Sequence, residues 1–128
     1  MADSLRVLIA DDETLHNLAL TSQLETLGHE VIATATNGRE AVELARQTQP
    51  DIAFLDIRMP RMDGFDFLDN ITQTDVCNQA KIVMLTSSCR SEDKAKAFTY
   101  NAVVDYLEKP LTEEMIKKVA DTYFQKQG

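Results

Sequence analysis

The stretch VLIADDE (7–13) runs from four consecutive apolar residues straight into three carboxylates, Asp11, Asp12 and Glu13. Such an apolar run reads as a strand buried on both faces. It therefore delivers like charges to one spot, where burial sharpens their repulsion. Other apolar runs end on residues with chemistry of their own. FLDIRMPRMDG (54–64) reaches Asp56, KIVMLT (81–86) closes on Thr86, and VVDYLE (103–108) is followed by Lys109. Taken singly, each has an ordinary reading: an Asp after a strand as a turn or helix cap, a Thr as a β-former, Lys109-Pro110 as a surface turn. Those readings leave unexplained why three acids, one hydroxyl and one ammonium should all fall at strand ends.

Asp11, Asp12 and Asp56 with Lys109 alone leave about two negative charges unanswered, which a hard divalent cation with oxygen ligands satisfies. Mg²⁺ is the expected ion and Mn²⁺ its substitute. No His/Cys cluster offers zinc a site, and His16 and His29 stand apart, reading as a helix-surface and a turn residue. A carboxylate held beside a cation and a lysine is a nucleophile toward phosphorus, so Asp56 is the candidate for an aspartyl phosphate. The cation and Lys109 would neutralise the phosphoryl oxygens, and Thr86 would donate a hydrogen bond to one of them. Pro60 and Gly64 are expected to shape the loop after Asp56 and start the next helix.

The elements that must position these groups alternate along the whole chain. Strands are expected at 5–10, 31–35, 51–56, 81–86 and 103–108, and helices at about 14–27, 38–48, 64–74, 91–101 and 112–126. The first helix turns Leu20, Leu24 and Leu27 inward and stops at Gly28; Asn37 caps the second, whose inward stripe is Ala41, Val42 and Ala45. Phe67, Leu68 and Ile71 line the third. Ser91 starts a fourth with a thin apolar face, and Thr112 caps a fifth carrying Met115, Ile116, Val119 and Tyr123. Five β–α repeats with buried strands give a parallel sheet covered on both faces. Its functional crevice lies beyond the carboxyl ends of the strands. Spacing does not separate one doubly wound strand order from another.

At 128 residues, 44% hydrophobic and 27% charged, the composition is that of one globular domain. A net charge of −8 argues against direct nucleic-acid binding. No run approaches the about 18 apolar residues of a membrane span, and no signal peptide is apparent. Cys77 and Cys89 lack metal-ligand spacing and read as free thiols. A cytoplasmic location without membrane insertion is expected.

With VLIADDE, LDIRMPRMDG, IVMLTSS and DYLEKP in that order, the chain resembles the receiver domain of two-component response regulators, and is similar in layout to the single-domain chemotaxis regulator. The likeness covers about residues 5–126 of a single domain spanning 1–128. It implies a flavodoxin-like five-stranded sheet of order 2-1-3-4-5. It further implies Asp56 as phosphoacceptor, Asp12 as a direct metal ligand, Asp11 as a ligand mainly through water, and the Arg58 backbone carbonyl as a further ligand. Lys109 would pair with the phosphoryl group, Thr86 would be the switch hydroxyl, and Tyr106 would turn inward as Thr86 moves. The implied donor is a phosphohistidine on a sensor histidine kinase or histidine phosphotransfer domain. The implied read-out surface for an unknown downstream protein is the fourth helix, fifth strand and fifth helix.

Some positions depart from the family pattern. Asn101 stands where glycine is usual, Ser87 where alanine or glycine is frequent, and Arg58 and Ser88 occupy variable positions that tune hydrolysis of the acyl phosphate. An aspartyl-phosphate phosphohydrolase would carry a second acid where Arg58 stands, and a flavin phosphate would be repelled by the first loop. A pseudo-receiver that signals by binding alone is disfavoured by the complete set of acids, Thr86 and Lys109. A starting Met and an end just after the fifth helix give the expectation of a stand-alone protein that docks to a partner or passes its phosphoryl group on.

Overall fold

Side chains on the central strands divide by parity, as the pleat requires. A computed structural model describes residues 4–59, 63–72, 80–87, 91–109 and 111–123. Pro60, Cys77, Ser88, Cys89, Pro110, the expected helix ends at 73–74 and 124–126, and the side chains of Ile71 and Tyr123 lie outside the described residues. In β1 (Arg6–Ala10), Val7 and Ile9 join one buried cluster and Leu8 and Ala10 the other. Ile52 and Phe54 oppose Ala53 and Leu55 in β3 (Ile52–Asp56), and Val83 and Leu85 oppose Ile82 and Met84 in β4 (Lys81–Thr86). Each large side chain so buried contributes about 1.5–3 kcal/mol.

With β2 (Glu30–Ala35) and β5 (Val103–Glu108) at the edges, the sheet runs β2-β1-β3-β4-β5, all parallel. This is the strand order the resemblance implied and the spacing alone left open. Helices α1 (Thr14–Thr26) and α5 (Glu113–Tyr123) cover one face, placing Leu20, Leu24, Ile116 and Val119 in the Val7–Phe54–Leu85 cluster. The opposite face takes α2 (Gly38–Thr48), α3 (Gly64–Thr72) and α4 (Ser91–Ala97), through Ala41, Val42, Ala45, Phe67, Leu68 and Ala97. No helix among the described residues is long and apolar enough to cross a membrane.

The expected helix signals act locally. Asn37 Oδ1 accepts the Glu40 N–H at 2.9 Å, Thr112 Oγ1 accepts the Met115 N–H at 3.2 Å, and Gly28 ends α1 at φ +92°. One expectation needs correcting. The fourth helix ends at Ala97 rather than near 101: only Ala97 of it is buried, and the Thr99 hydroxyl donates to the Lys96 carbonyl at 2.6 Å, diverting the last turn. Its end is held to α3 instead by Tyr100, which stacks on Phe65 and donates to Asp69 Oδ1 at 2.7 Å. At Asn101, where glycine is usual, the chain still turns. Gln49, at φ 51°, takes the left-handed backbone just after α2, where Arg6 donates to the carbonyls of Thr48 and Gln49.

His29 follows the turn at Gly28 as expected, but it is also buried, and its Nδ1 accepts the Leu5 N–H at 3.1 Å. That bond needs the neutral ring, and burial lowers the His29 pKa. Because the folded value lies below the unfolded one, the stabilisation is complete above the unfolded pKa and is lost as pH falls from there through the folded one. His29→Gln should therefore flatten the acid limb: the stability difference between wild type and variant, from urea unfolding, shrinks between pH 7.5 and pH 5. At the other end of the sheet, α3 starts against the backbone of Asp56. A Cβ on Gly64 would lie 2.9 Å from the Asp56 carbonyl oxygen and 3.0 Å from Ile57 Cα, neither of which can rotate away. Gly64→Ala should lower the unfolding free energy by about 1–3 kcal/mol, measured the same way.

Candidate functional site

β1 and β3 are neighbours, and each ends in an aspartate held by the same local device. Asp11 Oδ1 accepts the Glu13 N–H at 2.9 Å, and Asp56 Oδ1 accepts the Arg58 N–H at 3.0 Å. These turns, closed by a side chain on the amide two residues on, occupy one oxygen of each carboxylate. The second oxygens converge on one ammonium: Lys109 Nζ lies 3.1 Å from Asp11 Oδ2 and 2.9 Å from Asp56 Oδ2. Lys109 reaches them from the end of β5, where its N–H donates to the Thr86 carbonyl at 2.7 Å. Asp11 is fully buried and Asp56 nearly so, whereas Asp12 is exposed. Carboxylate oxygens of Asp11, Asp12 and Asp56 nevertheless lie within 4.8 Å of one another, a hard-oxygen trio that fits Mg²⁺.

The two buried acids are driven apart in acidity. Burial works to raise the Asp11 pKa, but His16, the Glu13 N–H and Lys109 outweigh it and hold it at about 2. Burial also raises Asp56, and there it prevails: despite Lys109 and the Arg58 N–H, the charge on Asp11 helps push it up to about 6. For Lys109, burial acts downward while Glu13, Asp56 and Asp11 together carry it above the usual lysine value.

Of the residues singled out by sequence, Asp11, Asp12, Asp56 and Lys109 are brought together. Thr86 is buried at the end of β4, the strand between β3 and β5. Tyr106, on edge strand β5, is already buried, packed in the cluster under α2, α3 and α4. The Arg58 side chain is exposed and its N–H serves Asp56.

Three neighbours were missed or misread. Glu13, named among the crowded acids but given no role, places Oε1 2.5 Å from Lys109 Nζ. Asn17 donates from Nδ2 to the Asp11 carbonyl at 2.8 Å and is buried; its position three residues before Leu20 on the inward stripe was the available signal. The reading of His16 as a helix-surface residue is corrected. Its side chain is 13% exposed and Nδ1 lies 2.6 Å from Asp11 Oδ2, because the chain reverses after Asp11 and the first turn of α1 folds back over the strand end.

Comparison with known proteins matches the chain to one family and one fold. Residues 7–121 match the family described as the response regulator receiver domain. The chain is 36% identical to protein PilH of Pseudomonas aeruginosa, over 88% of its own length and 92% of PilH. It is also 36% identical to chemotaxis protein CheY of Thermotoga maritima, over 81% and 95% of the two chains. Its fold superposes on chemotaxis protein CheY4 of Vibrio cholerae with a TM-score of 0.82 at 30% identity, covering 91% of this chain and 96% of that one. Other curated relatives are longer, the match taking in 35% of one and 50% of another. Receiver domains are typically non-enzymatic signalling modules that generally bind Mg²⁺ at an acidic pocket. The chain belongs to the response regulator receiver domain family.

Proposed function

We propose that the chain, acting as a single receiver domain in the cytoplasm, accepts a phosphoryl group on Asp56 from the phosphohistidine of a sensor histidine kinase or histidine phosphotransfer domain. The observation that carries this reading is the convergence of Asp11 and Asp56 on Lys109, each with one oxygen tied down by its own turn. Asp56 Oδ2 attacks phosphorus; the new O–P bond forms as the P–N bond to the donor imidazole breaks and that ring leaves with the bonding pair. Asp11, Asp12, Asp56 and the Arg58 carbonyl would hold Mg²⁺, with Mn²⁺ as substitute, Asp12 directly and Asp11 mainly through water. When bound, the ion neutralises charge on the phosphoryl oxygens. Lys109 exchanges a carboxylate contact for one to the phosphoryl group, at little cost because Glu13 and Asp11 still hold it.

The phosphoryl group adds about two negative charges. Thr86 turns its hydroxyl toward them, and the gain is limited to the difference in contacts between the two conformers. Tyr106 is buried already, so phosphorylation acts by keeping it inside while Thr86 is drawn away. The changed surface of α4, β5 and α5 then selects a downstream protein. Arg58 stands where a phosphohydrolase would carry its second acid, so the site lacks that class's proton donor for rapid turnover.

Incubation with phosphoramidate or acetyl phosphate and Mg²⁺ should add about 80 Da to the intact protein by mass spectrometry. EDTA or Asp56→Asn should abolish the gain; no uptake by the wild type would defeat the proposal, leaving a module that signals by binding alone. The raised Asp56 pKa gives a second expectation. With a folded value of about 6 above an unfolded one near 4, the ionised group costs stability above pH 6 and costs nothing below pH 4. In metal-free protein, Asp56→Asn should therefore stabilise by about 1–3 kcal/mol at pH 8, a gain that vanishes toward pH 4. Mg²⁺ should raise the melting temperature of the wild type more than that of the variant.

A further inference from the structure

His16 has no part in the phosphoryl chemistry above, yet its ring is turned into the acidic cleft. Nδ1 lies 2.6 Å from Asp11 Oδ2, and among the described residues it makes no aligned hydrogen bond. An imidazole nitrogen held this close to a cleft carboxylate stands where a cation bound to the acids can take it as a further ligand. The oxygens of Asp11, Asp12 and Asp56 gather at the same place. Lys109 also holds Asp11 Oδ2, with Glu13 and Asp56 as its further partners.

We propose that His16 Nδ1 is a direct ligand of the cation held by these aspartates, making the site a mixed nitrogen–oxygen centre that favours Mn²⁺ over Mg²⁺. The inference rests on the acidic trio being the cation site. The neutral ring donates its Nδ1 lone pair and keeps its proton on Nε2, so no covalent bond is broken. An imidazole ligand adds little for Mg²⁺, which prefers oxygen, and progressively more along the first-row divalent series. The protein has two histidines. The other, His29, lies at the amino-terminal end of the sheet with its Nδ1 taken by the Leu5 N–H, so a histidine signal from the cleft has one source.

The test is pulsed electron paramagnetic resonance of the full chain loaded with Mn²⁺, grown with natural-abundance or ¹⁵N-labelled histidine. The expected result is coupling to one directly bound nitrogen that changes from the ¹⁴N to the ¹⁵N pattern on labelling. No histidine coupling overturns the proposal without recourse to any variant. Calorimetric titration of His16→Leu and His16→Gln supplies the second reading: Mn²⁺ should bind about tenfold more weakly and Mg²⁺ less than about threefold more weakly. Equal losses for the two ions would reduce His16 to a residue that positions Asp11, and so overturn the inference. Phosphoryl uptake from phosphoramidate in Mg²⁺, measured alongside, separates the two proposals. Uptake without histidine coupling sinks only the role of His16, whereas binding of neither cation sinks both.

Discussion

One ammonium meets three carboxylates, and the arrangement of the sheet follows from the need to bring them together. Asp11 and Asp56 end adjacent strands, but Lys109 ends β5, with β4 lying between β5 and β3. At about 4.8 Å between neighbouring strands, β5 and β3 lie roughly 10 Å apart, a gap that the lysine side chain and the Asp56 carboxylate close from both sides. They can do so only over short side chains at the end of β4, where Thr86 and Ser87 stand. The Lys109 N–H tied to the Thr86 carbonyl fixes where that reach begins. A parallel sheet suits such a site because every strand delivers its carboxyl end to the same edge, while the apolar strand interiors keep those ends from moving.

Asp11 and Asp56 share a residue type, a local turn and a lysine partner, yet their acidities part. Asp11 collects three favourable neighbours and stays ionised, whereas Asp56 is left with a deficit from burial and from Asp11 itself. Environments that split two like groups in this way assign them different tasks. The group whose charge is least well answered gains most from an incoming cation. Exposed Asp12 and Glu13 stand at the mouth, free to adjust to what enters, while the buried pair keeps the geometry.

Much of this was legible beforehand because it depends on neighbours close in sequence. Apolar runs identified all five strands, and Asn37, Thr112 and Gly28 bounded their helices through bonds a few residues long. The convergence of Asp11, Asp12, Asp56 and Lys109 was also readable, because a parallel sheet leaves one edge for strand ends. Where α4 stops was not: a hydroxyl competing for one carbonyl, and a tyrosine fastened to α3, outweigh its helical pattern.

Residue order determined the parity of the strands, the caps and the run of acids at the first strand's end, because these follow from periodicity and short-range hydrogen bonding. Strand order, the split in acidity between two aspartates, the hold of Glu13 on Lys109 and the inward turn of His16 were decided by the tertiary structure. Each depends on the distance and dielectric between groups up to about a hundred positions apart in the chain, as Asp11 and Lys109 are. Such quantities exist only once the sheet has closed around them.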